Sequence, residues 1–124
     1  MKNLIKKYIV EIGMGVDQHG HNMDATKSAI KAVKNAISNN CLVGLREILD
    51  MSDPKQMLVD ILIAKPKGTT INEKRVLRAA PFGKKNIKII NGGMIAKGIC
   101  IEELGDTNDN MIIVNASVTV SFNL

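Results

Sequence analysis

Aromatic side chains are scarce in this 124-residue sequence, which has two phenylalanines, one tyrosine and no tryptophan. The core must therefore be aliphatic, and few rings are available as stacking platforms for single-stranded nucleic acid. Lysine and arginine total 17 against 12 acidic residues, but the basic residues are scattered along the chain. We therefore do not expect a nucleic-acid partner, and a small anionic ligand fits the charge better.

Long apolar runs are also missing. No stretch approaches the roughly 20 residues that span a bilayer, and Glu11 and Asp17 interrupt the N-terminal apolar segment, unlike a signal peptide. We therefore expect a cytoplasmic protein without a membrane partner. The two cysteines, Cys41 and Cys100, lack metal-binding spacing and have apolar neighbours, which is typical of small core residues. The length fits a single domain over residues 1–124.

Hydrophobic periodicity predicts elements in the order β-α-α-β-α-β-β-β. The predicted strands cover residues 4–12, 57–64, 87–91, 94–101 and 112–121. The predicted helices run from Asn22 or Asp24 to Ser38, over 43–49, and from Asn72 to Ala80. A turn is expected at 52–54, and a hairpin between the third and fourth strands around Gly92-Gly93.

These elements predict an α/β (α+β) fold, a two-layer sandwich in which helices cover one face of a single mixed sheet. The last strand would then turn Asn115, Ser117 and Thr119 toward the uncovered face. Such a polar face meets either water or another subunit. We therefore predict a homo-oligomer whose ligand pocket lies at a subunit interface.

The segment between the first strand and the long helix has the most unusual composition. It contains three glycines and three titratable residues: Gly13, Gly15, Asp17, His19, Gly20 and His21. Glycines adopt backbone conformations closed to other residues, and loops at strand ends are common ligand sites. We expect these glycines to contact a ligand, with the start of the helix favouring an anion.

The histidines of this segment have three interpretations. In the first, His19 is a general acid–base that Asp17 orients. In the second, Asp17, His19 and His21 project from one face of an extended segment and bind a divalent metal, the candidate cofactor. In the third, the imidazoles only hold the turn by hydrogen bonds to the backbone.

A second polar segment, residues 105–110, precedes the last strand. Its side chains Asp106, Asn108 and Asp109 are candidates for binding a polar ligand or a cation, although a plain turn explains them equally well. Lys65, which follows the interior strand, is a candidate contact for an anion, and Ser117 is a nucleophile only if a base approaches it. We expect the two polar segments to meet in space and form one site.

The stretch Gly13-x-Gly15-x-Asp17-x-His19-Gly20 resembles the G-x-G-x-D-x-H-G motif of a small family of uncharacterised bacterial proteins with plant relatives. The likeness continues through residues 81–83, 92–93 and 105–109. It implies that Asp17, His19 and the 105–109 segment act together, and it leaves His21 outside the motif. The element order is also loosely similar to trimeric chorismate-mutase-like folds, with ligands between subunits, and to ring-opening amidohydrolases, which use serine and lysine.

The sequence favours a small homo-oligomeric enzyme that applies histidine–aspartate acid–base or metal-assisted chemistry to a small polar or anionic metabolite. The alternative is a regulatory module that binds such a metabolite without turnover. A third interpretation, an RNA-associated protein, depends on net charge alone.

Overall fold

The computed structural model describes residues 4–50 and 56–123, so the turn predicted at 52–54 lies outside the described residues. The described chain follows the predicted order of elements. The strands are β1 (Ile5–Asp17), β2 (Met57–Lys65), β3 (Lys84–Asn91), β4 (Met94–Lys97) and β5 (Asn110–Asn123). The helices are α1 (Thr26–Ser38), α2 (Val43–Glu47) and α3 (Glu73–Leu77), with single 3-10 turns at His21–Met23 and Glu102–Leu104.

The strands form one mixed sheet in the order β1-β5-β2-β3. The central strand β5 is antiparallel to both β1 and β2, whereas β3 runs parallel to β2. Alternate residues of β5 from Ile112 to Phe122 are buried toward the helices, which is the face that the sequence pattern predicts. The predicted α+β fold with helices on a single mixed sheet is confirmed.

The predicted hairpin around Gly92-Gly93 is wrong, because β3 pairs with β2 and β4 pairs with β5. The physical reason is the unequal length of the strands. β2 pairs with β5 only as far as Asn115, so the first residues of β5 keep an open edge. β4 satisfies the backbone groups of that edge by pairing with residues 110–113, and β3 covers the far side of β2.

β1 is longer than predicted, since it continues through Gly13 and Gly15 to Asp17 and stays paired with β5 throughout. The expectation of a glycine loop after residue 12 is therefore wrong. A Cβ at Gly13 would collide with the backbone of Ala32, and one at Gly15 with the carbonyl of Ser28. The glycines are needed because α1 lies directly on this part of the strand.

The contact surface of α1 consists of small residues. Ala29, Ala32 and Ala36 are buried against the sheet together with Val33, whereas the larger Ile30 and Ile37 are only partly buried. Small side chains on the helix and glycines on the strand together bring the two backbones close, and this fixes where α1 begins relative to the end of β1.

Both cysteines are exposed, so the prediction that they are small core residues is wrong. Cys41 follows the end of α1, and Cys100 lies in the connection between β4 and β5, where the apolar neighbour Ile99 is itself 62% exposed. The apolar neighbour of Cys100 thus belongs to a surface loop, whereas Leu42 beside Cys41 packs against the core although the cysteine itself does not.

The sheet face opposite the helices is open among the described residues. Asn115 is exposed there, and Ser117 and Thr119 are partly exposed, as predicted. A bulge between Lys7 and Ile9 sets the register of β1 so that Ile12, 68% exposed, shares the open face with Val10 and Met14. No helix of the described residues is long and apolar enough to cross a membrane.

Candidate active site

The two polar segments meet, as predicted, at the end of the sheet where β1 finishes and β5 begins. The Nδ1 atom of His19 lies 2.6 Å from Oδ2 of Asp106, and Nε2 of His21 lies 2.5 Å from Oδ1 of the same carboxylate. One aspartate therefore joins two imidazoles that come from a segment more than eighty residues earlier in the chain. We call these three side chains the His–Asp cluster.

The local backbone determines where the two imidazoles lie. The N–H of Gly20 donates to the carbonyl of Asn110 at 3.0 Å, which ties the loop to the start of β5. The chain then makes the 3-10 turn at His21–Met23, in which Asn22 has a φ of +56°. Asn tolerates this left-handed conformation better than most residues. The turn ends where Thr70 donates to the Met23 carbonyl at 3.0 Å, directly before α1.

Asp106 is positioned by the turn that precedes it. The 3-10 turn at Glu102–Leu104 ends at Gly105, whose φ of +84° is in the left-handed region that favours glycine. The backbone then returns so that the N–H of Ile101 donates to Oδ2 of Asp106 at 2.9 Å. The aspartate side chain is only 2% exposed, and protein donors hold its carboxylate from both sides.

The electrostatics of the cluster favour an ionised Asp106. The Ile101 N–H is the largest cause that lowers the pKa of Asp106 to about 2; burial opposes it, and hydrogen bonds from His21 and His19 lower it further. An ionised carboxylate only accepts hydrogen bonds, so the facing nitrogens, Nδ1 of His19 and Nε2 of His21, must both carry protons. In the neutral rings this leaves Nε2 of His19 and Nδ1 of His21 as free lone pairs.

The exposure of the imidazoles gives these lone pairs access to a ligand. The side chain of His19 is 28% exposed and that of His21 is 43% exposed, whereas the aspartate behind them is buried. This order, a buried carboxylate behind a partly exposed imidazole, is the geometry in which an aspartate orients a histidine for proton transfer.

Asp17 has a different place from the one predicted. Its Oδ1 accepts the backbone N–H of His19 at 3.1 Å, so it holds the loop, and Asp106 is the carboxylate that contacts the His19 ring. The extended segment that would align Asp17, His19 and His21 is also wrong, because the chain bends after Asp17 and turns again at His21. Among residues 4–50 and 56–123, no three His, Cys, Asp or Glu side chains converge as metal ligands.

The other polar residues of the second segment lie outside the cluster. Oδ1 of Asn108 accepts the N–H of Asn110 at 2.9 Å, the side-chain turn that was the alternative interpretation. Asp109 lies at the surface, 3.4 Å from Nζ of Lys97. The thiol of Cys100 is 3.7 Å from the Asp106 carbonyl. Desolvation by the surrounding protein atoms and the negative charge of Asp106 raise the pKa of this thiol, which disfavours a thiolate.

Four more of the predicted site residues are not brought into the cluster. Ser117 lies midway along β5 on the open sheet face, paired with Ile12 and Leu62, and no described basic side chain is hydrogen-bonded to it. The seven residue steps from Asn110 to Ser117 correspond to about 23 Å of strand. Lys65 ends β2 beside Asn91 and has no described contact with His19, His21 or Asp106. Gly13 and Gly15 lie beneath α1 rather than facing a ligand.

The sequence reasoning missed two features of the described residues. The first is the Ile101 N–H, since a backbone donor leaves no mark in residue type. The second is Glu11, which turns toward the helices and is buried there with a hydrogen bond from Asn40. Its position on the same strand face as Gly13 and Gly15 was the available signal.

Comparisons with known proteins place these residues in a family without giving an activity. The Lin0512 family of conserved hypothetical proteins matches residues 7–120. The chain is similar to the crystal structure of an FtsZ-like protein of unknown function from Nostoc punctiforme. The two are 41% identical with a TM-score of 0.85, over 99% of this chain and 100% of that one. No curated protein matches the sequence. The resemblance to a family of uncharacterised proteins is thus confirmed, and this chain belongs to the Lin0512 family of conserved hypothetical proteins.

Proposed function

We propose that this protein catalyses proton transfer on a small polar or anionic metabolite, with His19 as the general acid–base and Asp106 as the residue that orients it. The observation that carries the proposal is the contact between a buried, ionised aspartate and a partly exposed imidazole, 2.6 Å from Asp106 Oδ2 to His19 Nδ1. A histidine held in this way presents Nε2 in a fixed tautomer and direction.

Asp106 contributes in two ways to this chemistry. It keeps the proton of the neutral His19 ring on Nδ1, so Nε2 is the nitrogen that accepts a proton from the metabolite. It also stabilises the imidazolium that forms after that transfer, because the carboxylate stays charged with a pKa of about 2. The Ile101 N–H keeps the carboxylate in place while the histidine changes its charge.

His21 has a supporting role in this proposal. Its ring also donates to Asp106, its centroid lies 6.4 Å from that of His19, and its side chain is the more exposed of the two. A second imidazole beside the substrate offers a hydrogen bond for a polar or anionic group. His21 is therefore expected to contribute to binding more than to proton transfer.

A second copy of the chain would enclose the site. The His–Asp cluster is open to solvent on one side, and acid–base catalysis benefits from the exclusion of water. The open face of the sheet exposes Val10, Ile12 and Met14, and Met94 extends this apolar surface toward the same end of the sheet. We therefore keep the prediction of a homo-oligomer. Light scattering over a concentration series tests it, and a monomer at micromolar concentration would contradict it.

A binding module without turnover is the second candidate. The hydrogen bonds of Asp106 favour it, because the two carboxylate oxygens already accept three hydrogen bonds within the protein. Such a closed network also suits a rigid recognition loop, in which the two imidazoles recognise a metabolite without exchanging protons.

Solvent-exchange measurements separate the two candidates. We would incubate a panel of small 2-oxo and 3-oxo acids with the protein in D₂O and follow exchange of the C–H next to the carbonyl by ¹H NMR. The enzyme proposal predicts faster exchange of at least one acid with the wild type. It predicts that His19→Ala lowers the rate by about 10²- to 10⁴-fold.

The controls distinguish chemistry from folding. His21→Ala should raise the acid concentration needed for half-maximal exchange more than it lowers the maximal rate, because that ring contributes to binding more than to proton transfer. Melting temperatures of both variants show whether the fold is intact. We expect little change, because a loop imidazole contributes little core burial. Exchange that survives in His19→Ala would contradict the enzyme proposal, whereas acids that bind without any exchange would favour the binding module.

A further inference from the structure

A cavity lies at the other end of the sheet from the His–Asp cluster. It occupies about 420 Å³ between the end of α1, helix α2 and the strands beneath them. This volume is within the range of small-molecule sites. Most of the surface is aliphatic, formed by Ile37, Leu42, Leu45, Val59, Val118 and Val120.

One acidic side chain, Glu11, breaks this apolar lining. Glu11 is only 4% exposed, because β1 turns it toward the helices at the point where α1 ends. Nδ2 of Asn40 donates to its Oε2 at 2.9 Å. The other oxygen, Oε1, takes no hydrogen bond from a described side chain. Glu11 is one of the residues that line the cavity.

The charge of Glu11 is not compensated by the described part of the chain. Burial raises the pKa of Glu11, and the single hydrogen bond from Asn40 only partly offsets this. Arg46 is the other charged residue of the lining, but it is exposed and forms no ion pair with Glu11 within the described residues. A buried carboxylate is stabilised by a cation with donors that satisfy its free oxygen.

We propose that this cavity binds a small amphipathic amine, with the apolar body among the aliphatic side chains and the ammonium group on Glu11. A primary ammonium has three donors, which suits an oxygen of Glu11 together with Oδ1 of Asn40, which accepts no hydrogen bond from the described residues. The site is separate from the His–Asp cluster and does not depend on the function proposed for that cluster.

Three probes of similar size test the assignment: 3-phenylpropylamine, the neutral 3-phenylpropan-1-ol and 3-phenylpropanoate. Each is titrated into ¹⁵N-labelled full-length protein at pH 7, and Kd is measured from amide shifts. The amine should shift the amides of Glu11, Asn40 and Leu45 and should bind at least 10-fold more tightly than the alcohol. The carboxylate should bind most weakly.

Two variants identify the groups responsible. Glu11→Gln keeps the size of the side chain and should weaken the amine at least 10-fold while leaving the alcohol unchanged. Leu45→Phe reduces the cavity and should weaken amine and alcohol together. If Glu11→Gln does not fold, wild-type protein supplies the test, since amine binding should weaken as pH falls and Glu11 becomes protonated while alcohol binding stays constant.

Several results would overturn the proposal. Equal binding of amine and alcohol would show that Glu11 gives no selectivity, and tighter binding of the carboxylate would make Arg46 the anchor instead. Undiminished amine binding in Glu11→Gln, or no binding of the amine at millimolar concentration, would each reject the site.

Discussion

Two buried carboxylates, Asp106 and Glu11, lie toward opposite ends of the same sheet. They differ in the hydrogen bonds that they accept and in the direction in which their pKa is shifted. Asp106 accepts from two imidazoles and a backbone N–H, and its pKa is lowered to about 2. Glu11 accepts from one amide side chain, and its pKa is raised. Burial acts on both groups in the same direction, so the number and kind of donors decide the sign of the shift.

The difference separates two kinds of site. At Asp106 the protein supplies every partner of the carboxylate, and the reactive groups are the imidazoles in front of it. At Glu11, which lines a cavity, the described residues leave one oxygen without a hydrogen bond, and the missing partner is a ligand in our proposal. A satisfied carboxylate positions other groups, whereas an incompletely satisfied one is itself a binding group.

The packing along β1 shows why the two sites lie where they do. Gly13 and Gly15 allow α1 to pack directly on β1. This close contact lies at the end of β1 that is next to the His–Asp cluster. α1 ends at Ser38, so among the described residues Glu11, on the same face of β1, is covered by the end of α1, the loop that follows it and α2. The cavity begins where the glycine–alanine contact stops.

The largest effect is expected from adding a side chain at Gly15, where α1 packs directly on β1. In Gly15→Ala the new Cβ would meet the carbonyl of Ser28, a backbone atom that cannot rotate away. α1 must shift, and we expect a loss of about 3 kcal/mol in the free energy of unfolding, measured by urea denaturation. A shift of α1 should also disturb the amide signals of His19 and His21.

The matched control is Gly44→Ala in α2. Its Cβ would meet the hydroxyl end of the Tyr8 side chain rather than backbone, and alanine has the better helix propensity. Its stability should stay within about 1 kcal/mol of the wild type. Equal losses in the two variants would show that the contact between α1 and β1 is not unusually close.

Removal of the charge of Asp106 should have the next largest effect. Asp106→Asn leaves the cluster with a neutral, weaker acceptor, so the melting temperature at pH 7 should fall by several degrees. The pKa of this group is lower in the folded than in the unfolded state. Its contribution is therefore present above about pH 4 and is lost as pH falls from 3.8 toward 2.

Melting curves from pH 7 to pH 2 check this prediction. The wild type should lose its advantage over Asp106→Asn within that acidic interval, and the two proteins should converge near pH 2. A constant difference between them down to pH 2 would show that the carboxylate is not the stabilising species.

Glu11 should show the opposite pH dependence with a smaller amplitude. Its pKa is raised in the folded state, so the protonated form is the favoured one, and its contribution is lost as pH rises above 4.5. Glu11→Gln should therefore gain stability relative to the wild type between pH 4.5 and 7, by less than about 1 kcal/mol. Denaturation at both pH values measures the change, and a relative loss at pH 7 would contradict the assignment.

Much of the fold could be read from sequence because alternation and capping are local. The last strand and the interior strand follow directly from alternating or continuous apolar residues, and Asn72 caps α3 by accepting the N–H of Arg75. Strand partners are not local. The course of β4 depends on β5 being longer than β2, which no property of residues 94–97 reveals.

The candidate site was also predictable only in so far as it depends on local sequence. A concentration of polar residues at two strand ends was enough to predict that His19 meets the 105–109 segment. The choice of Asp106 over Asp17 as the partner depends on the bend after β1, which points the Asp17 oxygen at a backbone N–H. A glycine can be needed for its backbone conformation or because a side chain would not fit. The sequence alone did not show that Gly13 and Gly15 are needed for the second reason.

A third carboxylate, Asp109, supplies the baseline for the comparison and the smallest expected effect. It is 42% exposed and lies 3.4 Å from Lys97 Nζ, itself 72% exposed. Water solvates both partners in either state, so Asp109→Asn should change the free energy of unfolding by less than about 0.5 kcal/mol. The difference should shrink further in 1 M salt, which screens exposed pairs. Urea denaturation at low and high salt measures both quantities. A loss as large as that of Asp106→Asn would mean that proximity to the His–Asp cluster, rather than burial with donors, determines what a carboxylate contributes at this end of the sheet.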